Sequence, residues 1–181
     1  MNELHTRCLD LFPEWLRALA TDAGELSKLL ASTDVPEGTR RYVAGGLNYL
    51  FKSLDLIPDG IEDLGFLDDA FVIRVAAALS IREAPAGGET PAVLTRLAAD
   101  TKVIADLLGK DYARLESYVK TLTRGVARGR TVEEILHDET IRAAFLHEVS
   151  GWAASYETPS FSRDEKNLVK LQSFLGAKLP A

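Results

Sequence analysis

The chain has 181 residues, 46% of them hydrophobic, which suits one domain with a buried core and is unlike a disordered or fibrous composition. Its formal charge of -6 disfavours a general nucleic-acid binder, which needs clustered Lys and Arg against phosphate. The one cysteine, Cys8, excludes an intrachain disulfide framework and a Cys-based zinc site, and it fits a reducing, cytoplasmic setting.

The first segment, "MNELHTRCLDLFPEWL", has early acids and no unbroken apolar run, so it does not read as a secretory signal. Leu9, Phe12, Leu16 and Leu19 predict a helix, with Pro13 as a break or a first-turn residue. Leu26, Leu29 and Leu30 continue the pattern. In "RRYVAGGLNYLFKSL", Tyr42, Val43, Gly46, Leu47, Leu50, Phe51 and Leu54 form an apolar stripe at three-and-four spacing, with Asp34 and Pro36 as its start signal. Gly45 and Gly46 each cost a helix interior about 1 kcal/mol relative to Ala, so they predict close packing of another helix. Pro58 predicts that this helix ends near Leu56 or Ile57. From Leu67 to about Arg82 the chain is apolar nearly all round, as the central, buried helix of a bundle is. Arg74 is its mid-helix charge, able to reach the surface along its stem or to pair with a carboxylate.

Residues 83–91, "EAPAGGETP", read as a loop. Thr90 and Pro91 predict an N-cap and first helical position, and Val93, Leu94, Leu97, Ile104 and Leu108 carry that helix to Gly109. Tyr112, Leu115, Val119, Leu122 and Val126 predict another. "TVEE" at 131–134 and "SRDE" at 162–165 both fit a capping box. Asp138 is positioned to cap a helix with Ile141, Phe145, Val149, Trp152 and Tyr156 on one face, and the last helix carries Leu168, Leu171, Leu175 and Leu179. No stretch alternates with period two for long enough to predict a strand. The expectation is an all-α, single-domain bundle of about seven or eight helices over residues 1–181. Its helical hairpin core lies at about 36–82 and its C-terminal helical part at about 90–179. The best apolar run, "AFVIRVAAALSI", is shorter than the roughly 20 residues a membrane-spanning helix needs and contains Arg74, so a soluble chain is expected.

Between the second and third predicted helices lies "LDLIPDGIEDLGFLDDAF", residues 54–71, with Asp55, Asp59, Glu62, Asp63, Asp68 and Asp69. One reading is structural. Asp68 and Asp69 fall in the first turn of the central helix, where free amides and the dipole favour carboxylates by roughly 0.3–1 kcal/mol each. Asp55 and Asp59 then bond turn amides, Gly65 supplies a positive φ, and Arg74, Arg40 or Arg41 neutralises some of the acids. A second reading is a divalent-cation site, because hard cations favour oxygen clusters. The spacing is not that of an EF-hand, so the site is irregular, with Asp55, Asp59, Asp68 and Asp69 as the best ligands for Mg²⁺ or Ca²⁺.

Other chemistry is sparse. "HEVSG" at 147–151 lacks the second zinc-ligating histidine, so His5, His137 and His147 read as surface or partly packed. Cys8 reads as a small buried hydrophobe. No Gly-rich phosphate loop or G-x-S-x-G elbow is present. Arg124, Arg128 and Arg130 are either a solvated helix end or a patch for an anion or acidic partner. Lys166, Lys170 and Lys178 make the last helix weakly basic and amphipathic, which leaves peripheral membrane contact open.

The segment "YLFKSLDLIPDGIEDLGFLDDAFVI" resembles the signature of the YkvA-like bacterial proteins, a family defined by a domain of unknown function. Asp55, Leu56, Ile57, Pro58 and Asp59 match its first block; Gly65, Leu67, Asp68 and Asp69 match its second, with Phe66 in place of Tyr. The likeness covers about residues 40–80. Ser53 stands where the family usually has Pro, and Glu62 and Asp63 replace residues that are usually Pro or apolar. Many members carry membrane-spanning segments; none is expected here. The resemblance implies a helical module and no established chemistry. The first expectation for function is therefore a non-enzymatic module that mediates protein interaction, through an unknown partner or self-association. The alternative is a divalent-cation-binding protein using the acidic turn 55–69. A metal-dependent hydrolase comes third, because no base or nucleophile can be picked out beside the acids.

Overall fold

The computed structural model describes residues 1–53 and 55–181; Leu54, the last member of the predicted second stripe, lies outside the described residues. Nine helices and one two-residue hairpin are found among the described residues, an all-α bundle as the periodicity predicts. Helix α1, Glu3–Ala31, is unbroken over 29 residues and is capped by the Asn2 side chain, which accepts from the His5 amide. Pro13 lies inside it, neither a break nor a first-turn residue. The reason is packing. Leu9, Phe12, Leu16 and Leu19 bury on both sides of Pro13, and that burial outweighs the roughly 3 kcal/mol a mid-helix proline costs.

Helix α2, Glu37–Tyr49, ends well before the predicted Leu56. Its last turn tightens into three-residue bonds, from the Leu50, Phe51 and Lys52 amides to the Leu47, Asn48 and Tyr49 carbonyls. The Tyr49 hydroxyl then accepts from the Leu56 amide at 2.8 Å, drawing the chain beyond α2 back onto its end. The two glycines act as expected. A Cβ on Gly45 would lie 3.1 Å from the Leu122 backbone, and one on Gly46 would lie 3.4 Å from the Ala76 side chain.

Helix α3, Leu67–Arg82, is the central one, buried continuously from Leu67 to Ala77. Arg74 does not reach the surface. It is 1% exposed, pairs with Asp100 at 2.9 Å and Asp22 at 3.7 Å, and stacks 4.3 Å from the Trp15 ring. Helices α4, Ala92–Ala99, and α5, Thr101–Leu108, replace the single helix expected there; they part at Asp100, the carboxylate that receives Arg74. Thr90 does not cap α4, whose N-cap position is Pro91.

Helix α6, Asp111–Leu122, is followed by strands β1, Val126–Ala127, and β2, Arg130–Thr131, joined by Arg128 and Gly129 with φ of 50° and 76°. Two successive positive φ angles are the mark of a tight hairpin turn. The arginines read as a helix end therefore flank a hairpin. Helix α7, Val132–His137, has the expected capping box on Thr131 and Glu134, and Asp138 caps α8, Glu139–Ser155, as predicted. Helix α9, Glu165–Lys178, is capped by Asp164 and not by Ser162. Ser162 is occupied elsewhere, as its contacts with Asp63 show below. One continuous apolar core draws on all nine helices. No helix among the described residues is long and apolar enough to cross a membrane.

Candidate functional site

Residues 58–66 of the corner form a succession of tight turns. The Ile61 amide donates to the Pro58 carbonyl, and the Ile61 carbonyl accepts from the Leu64 and Gly65 amides. Positive φ falls on Asp63 and Phe66, at 67° and 68°, and not on Gly65. Gly65 is required for another reason: a Cβ there would sit 2.2 Å from the Asp59 carbonyl oxygen. The two residues in left-handed geometry are held from outside the corner. Asp63 accepts from the Ser162 amide at 2.9 Å and from its hydroxyl at 3.1 Å. Phe66 packs edge-on against Tyr156, with ring centroids 5.3 Å apart, and against Trp152 at 6.3 Å.

This scaffold brings Asp59, Asp68 and Asp69 together, with one oxygen of each within 4.8 Å of the others. Asp59 is exposed at the mouth, whereas Asp68 and Asp69 are 0% and 2% exposed. Asp55, the fourth predicted ligand, stands outside this triad, although its Oδ1 is buried and without a hydrogen-bond partner. Asp68 Oδ1 and Asp69 Oδ2 also lack partners. Glu62 is exposed, and Asp63 turns to Ser162.

The capping expectation for the central helix does not hold. Phe66 occupies the N-cap position with no side-chain cap bond. Asp68 faces back toward the corner, where its Oδ2 accepts from the Tyr49 hydroxyl at 2.5 Å and the Ile57 amide at 3.3 Å. It therefore ties α3 to the end of α2. The ion-pair expectation fails too. Arg40 donates to the Leu30 carbonyl, Arg41 to Glu133 and Arg74 to Asp100. Among the described residues, no ion pair involves Asp55, Asp59, Asp68 or Asp69.

The result is strong mutual perturbation. Burial, with the charges of Asp68 and Asp59, pushes the Asp55 carboxyl up to about 7 against the pull of Lys52. Burial also raises Asp68, opposed by its bonds to Tyr49 and Ile57. Asp69 rises well above the ordinary range, through burial and then through the charges of Asp68, Asp59 and Asp55. The surroundings are aromatic: Tyr118 is pushed up to about 12 by burial and the same acids, and Tyr156 is raised by burial and by Asp69 and Asp59. Tyr49 and Tyr118 were not singled out in the sequence, and Tyr156 was placed only on an apolar helix face. Tyr49 offered the one usable signal, a phenol on a helix that has to be buried and therefore needs a partner for its hydroxyl.

The other candidates are structural in their placement. Cys8 is buried and its thiol is pushed up to about 11 by burial, the opposite of an activated nucleophile. His137 stands 3.0 Å and 3.1 Å from Glu37 and Glu133, His5 contacts Glu165, and His147 is exposed. Arg128 and Arg130 both pair with Glu148 and stack on the Phe51 ring. In α9, Leu168, Leu171 and Leu175 face the core, and Lys166 and Lys170 face out.

Fold and site together define an all-α bundle whose central helix opens on a buried carboxylate corner. The family described as "Protein of unknown function (DUF1232)" has a model that matches residues 39–74, from Thr39 in α2 through the corner to Arg74 in α3. No curated protein and no solved structure matches the chain.

Proposed function

We propose that this protein is a divalent-cation-binding helical module, with the ion held at Asp59, Asp68 and Asp69 and with Asp55 beside it. One observation carries the reading: two adjacent buried carboxylates, Asp68 and Asp69, each keep an oxygen without a hydrogen-bond partner, and no arginine or lysine among the described residues pairs with them. Buried charge without compensation is costly, and a cation is the partner that suits several carboxylates at once. The spread of the three oxygens fits. Two oxygens bound to one Ca²⁺ at roughly 2.3–2.6 Å lie at most about 5 Å apart. The donors are all hard oxygens, so Mg²⁺, Ca²⁺ or Mn²⁺ suits them and zinc does not.

Asp59, Asp68 and Asp69 are among the residues that carry the resemblance to the YkvA-like proteins, and all three lie in the stretch that the family model matches. Protein interaction, the first expectation from the sequence, has thinner support. Among the described residues the exposed large hydrophobics are Met1, Val126 and Val169, on different segments. The hydrolase reading gains no nucleophile, since the group nearest the acids is a tyrosine whose hydroxyl is already bonded on both sides. A reducing, cytoplasmic setting belongs to the same proposal, on the strength of a single buried thiol.

Thermal unfolding in EDTA, Mg²⁺, Ca²⁺ and Mn²⁺ tests it. Binding to the folded state alone stabilises by about 2.7 kcal/mol at a hundred times Kd, so the midpoint rises with ion concentration. The double substitution Asp59→Asn with Asp69→Asn abolishes that rise. A wild type that responds to no ion removes the proposal, and a rise that persists in the double variant puts the ion elsewhere.

A further inference from the structure

Next to the acidic corner opens a cleft of about 670 Å³, a size that takes a small ligand. Its wall includes Asp59, Lys52, Ser53, Arg128 and Phe51. Asp59 thus belongs both to the cleft and to the buried triad. Behind it stands Asp69, nine-tenths buried and more, with Oδ2 unpartnered.

Two cations, Lys52 and Arg128, line the same cleft. The Lys52 ammonium makes no ion pair with a described residue and rests 5.5 Å from the Tyr118 ring centroid. The Arg128 guanidinium lies 4.9 Å from the Phe51 centroid, and its carboxylate partner Glu148, at 3.4 Å, is shared with Arg130 at 2.9 Å. One carboxylate therefore answers two guanidiniums. Lys52 and Arg128 thus stand at the same cleft as Asp59, so its wall offers both signs of charge to a ligand.

Carboxylates and cations gathered at one cleft match an oxyanion bridged to a metal. Mg²⁺-type ions held by a few carboxylates complete their shells with phosphate oxygens, while Lys and Arg take the remaining ones. We propose that this cleft binds a phosphate-bearing anion. One oxygen lies on the cation at Asp59, Asp68 and Asp69, and the others lie against Lys52 and Arg128. The inference rests on the cation reading above, and its test separates the two. A phosphate of this kind is presented equally by a small soluble ester or by a lipid headgroup.

The experiment follows Mn²⁺ binding to the full chain by loss of the free-ion EPR signal, with and without inorganic phosphate, and takes the Asp69→Asn chain as the baseline for complexes formed in solution. In the wild type, saturating phosphate tightens Mn²⁺ binding about tenfold, within the usual range of coupling between two sites. The ³¹P line of phosphate broadens beyond that baseline only when wild-type protein and Mn²⁺ are both present. Lys52→Gln with Arg128→Asn keeps Mn²⁺ binding and the thermal midpoint but loses the phosphate effect; Asn suits the positive φ at position 128. If that pair lowers the midpoint, Lys52→Gln alone is read instead and weakens the coupling. Mn²⁺ binding that phosphate leaves unchanged overturns this proposal and spares the cation site, as does coupling that survives loss of both cations. No Mn²⁺ binding at all overturns the cation reading and this one with it. Phosphatidic acid vesicles that sediment the wild type with Mn²⁺, but not the double variant, assign the headgroup as source; a response to free phosphate without one to vesicles assigns a soluble ester.

Discussion

Gly65 and Tyr49 are two residues on which the corner turns, and neither carries a charge. Because a Cβ at position 65 would lie 2.2 Å from the Asp59 carbonyl oxygen, backbone has to move to admit it. Gly65→Ala therefore destabilises by about 1–3 kcal/mol and also shifts Asp59 away from Asp68 and Asp69. Urea unfolding shows the first effect and a Mn²⁺ titration shows the second. Tyr49→Phe removes a hydroxyl that donates to Asp68 and accepts from the Leu56 amide. Leaving such buried groups unpaired costs about 1–3 kcal/mol, and the same unfolding curve measures it. The sequence grouped these acids in one turn, and the structure brings three of them, Asp59, Asp68 and Asp69, together. Asp68 and Asp69 sit where helix-capping acids sit, and the local rule assigned them to capping. Which oxygens converge depends on bonds to one phenol, Tyr49, which links Asp68 to the Leu56 amide and which no local pattern marks.

Among the elements, α3 was the most legible, because a run apolar on every side has few places to go but the centre. Its mid-helix arginine, Arg74, was legible as a charge needing a partner, though not which partner, since Asp22 and Asp100 come from α1 and from the junction of α4 and α5. Arg74→Met leaves Asp22 buried with only Arg96 to pair with, at 2.8 Å. The expected loss is on the order of 3 kcal/mol, read as a lower urea midpoint with an unchanged slope. The helix ends were read less well. Pro58 marked the last residue at which α2 had to stop, and α2 stopped at Tyr49 because tertiary bonds competed earlier. The β1–β2 hairpin was missed because Arg128 takes the left-handed position that Asn or Gly usually signals.

At the scale of the whole molecule the acids couple stability to pH in an unusual direction. Between the ordinary 3.8 of the unfolded chain and about 7 in the fold, Asp55 holds more proton when folded than when unfolded. Its contribution is complete below the lower value and is lost as pH rises through the upper one. Asp68 and Asp69, also raised, act in the same sense. In EDTA the thermal midpoint therefore falls from about pH 5 to about pH 8, and Asp55→Asn flattens the fall. A divalent ion that displaces those protons stabilises increasingly over the same interval, so melting curves with and without Mg²⁺ diverge as pH rises.

The bonds from Ser162 to Asp63 span 99 positions of the chain, and the one from Tyr156 to the Leu16 carbonyl spans 140. As the polypeptide leaves the ribosome, α2 and α3 emerge long before the segments that lock their junction. Until Tyr156 and Ser162 have emerged, that junction stays wet and unlatched. Its acids acquire their unusual proton affinity only once those later segments close over them.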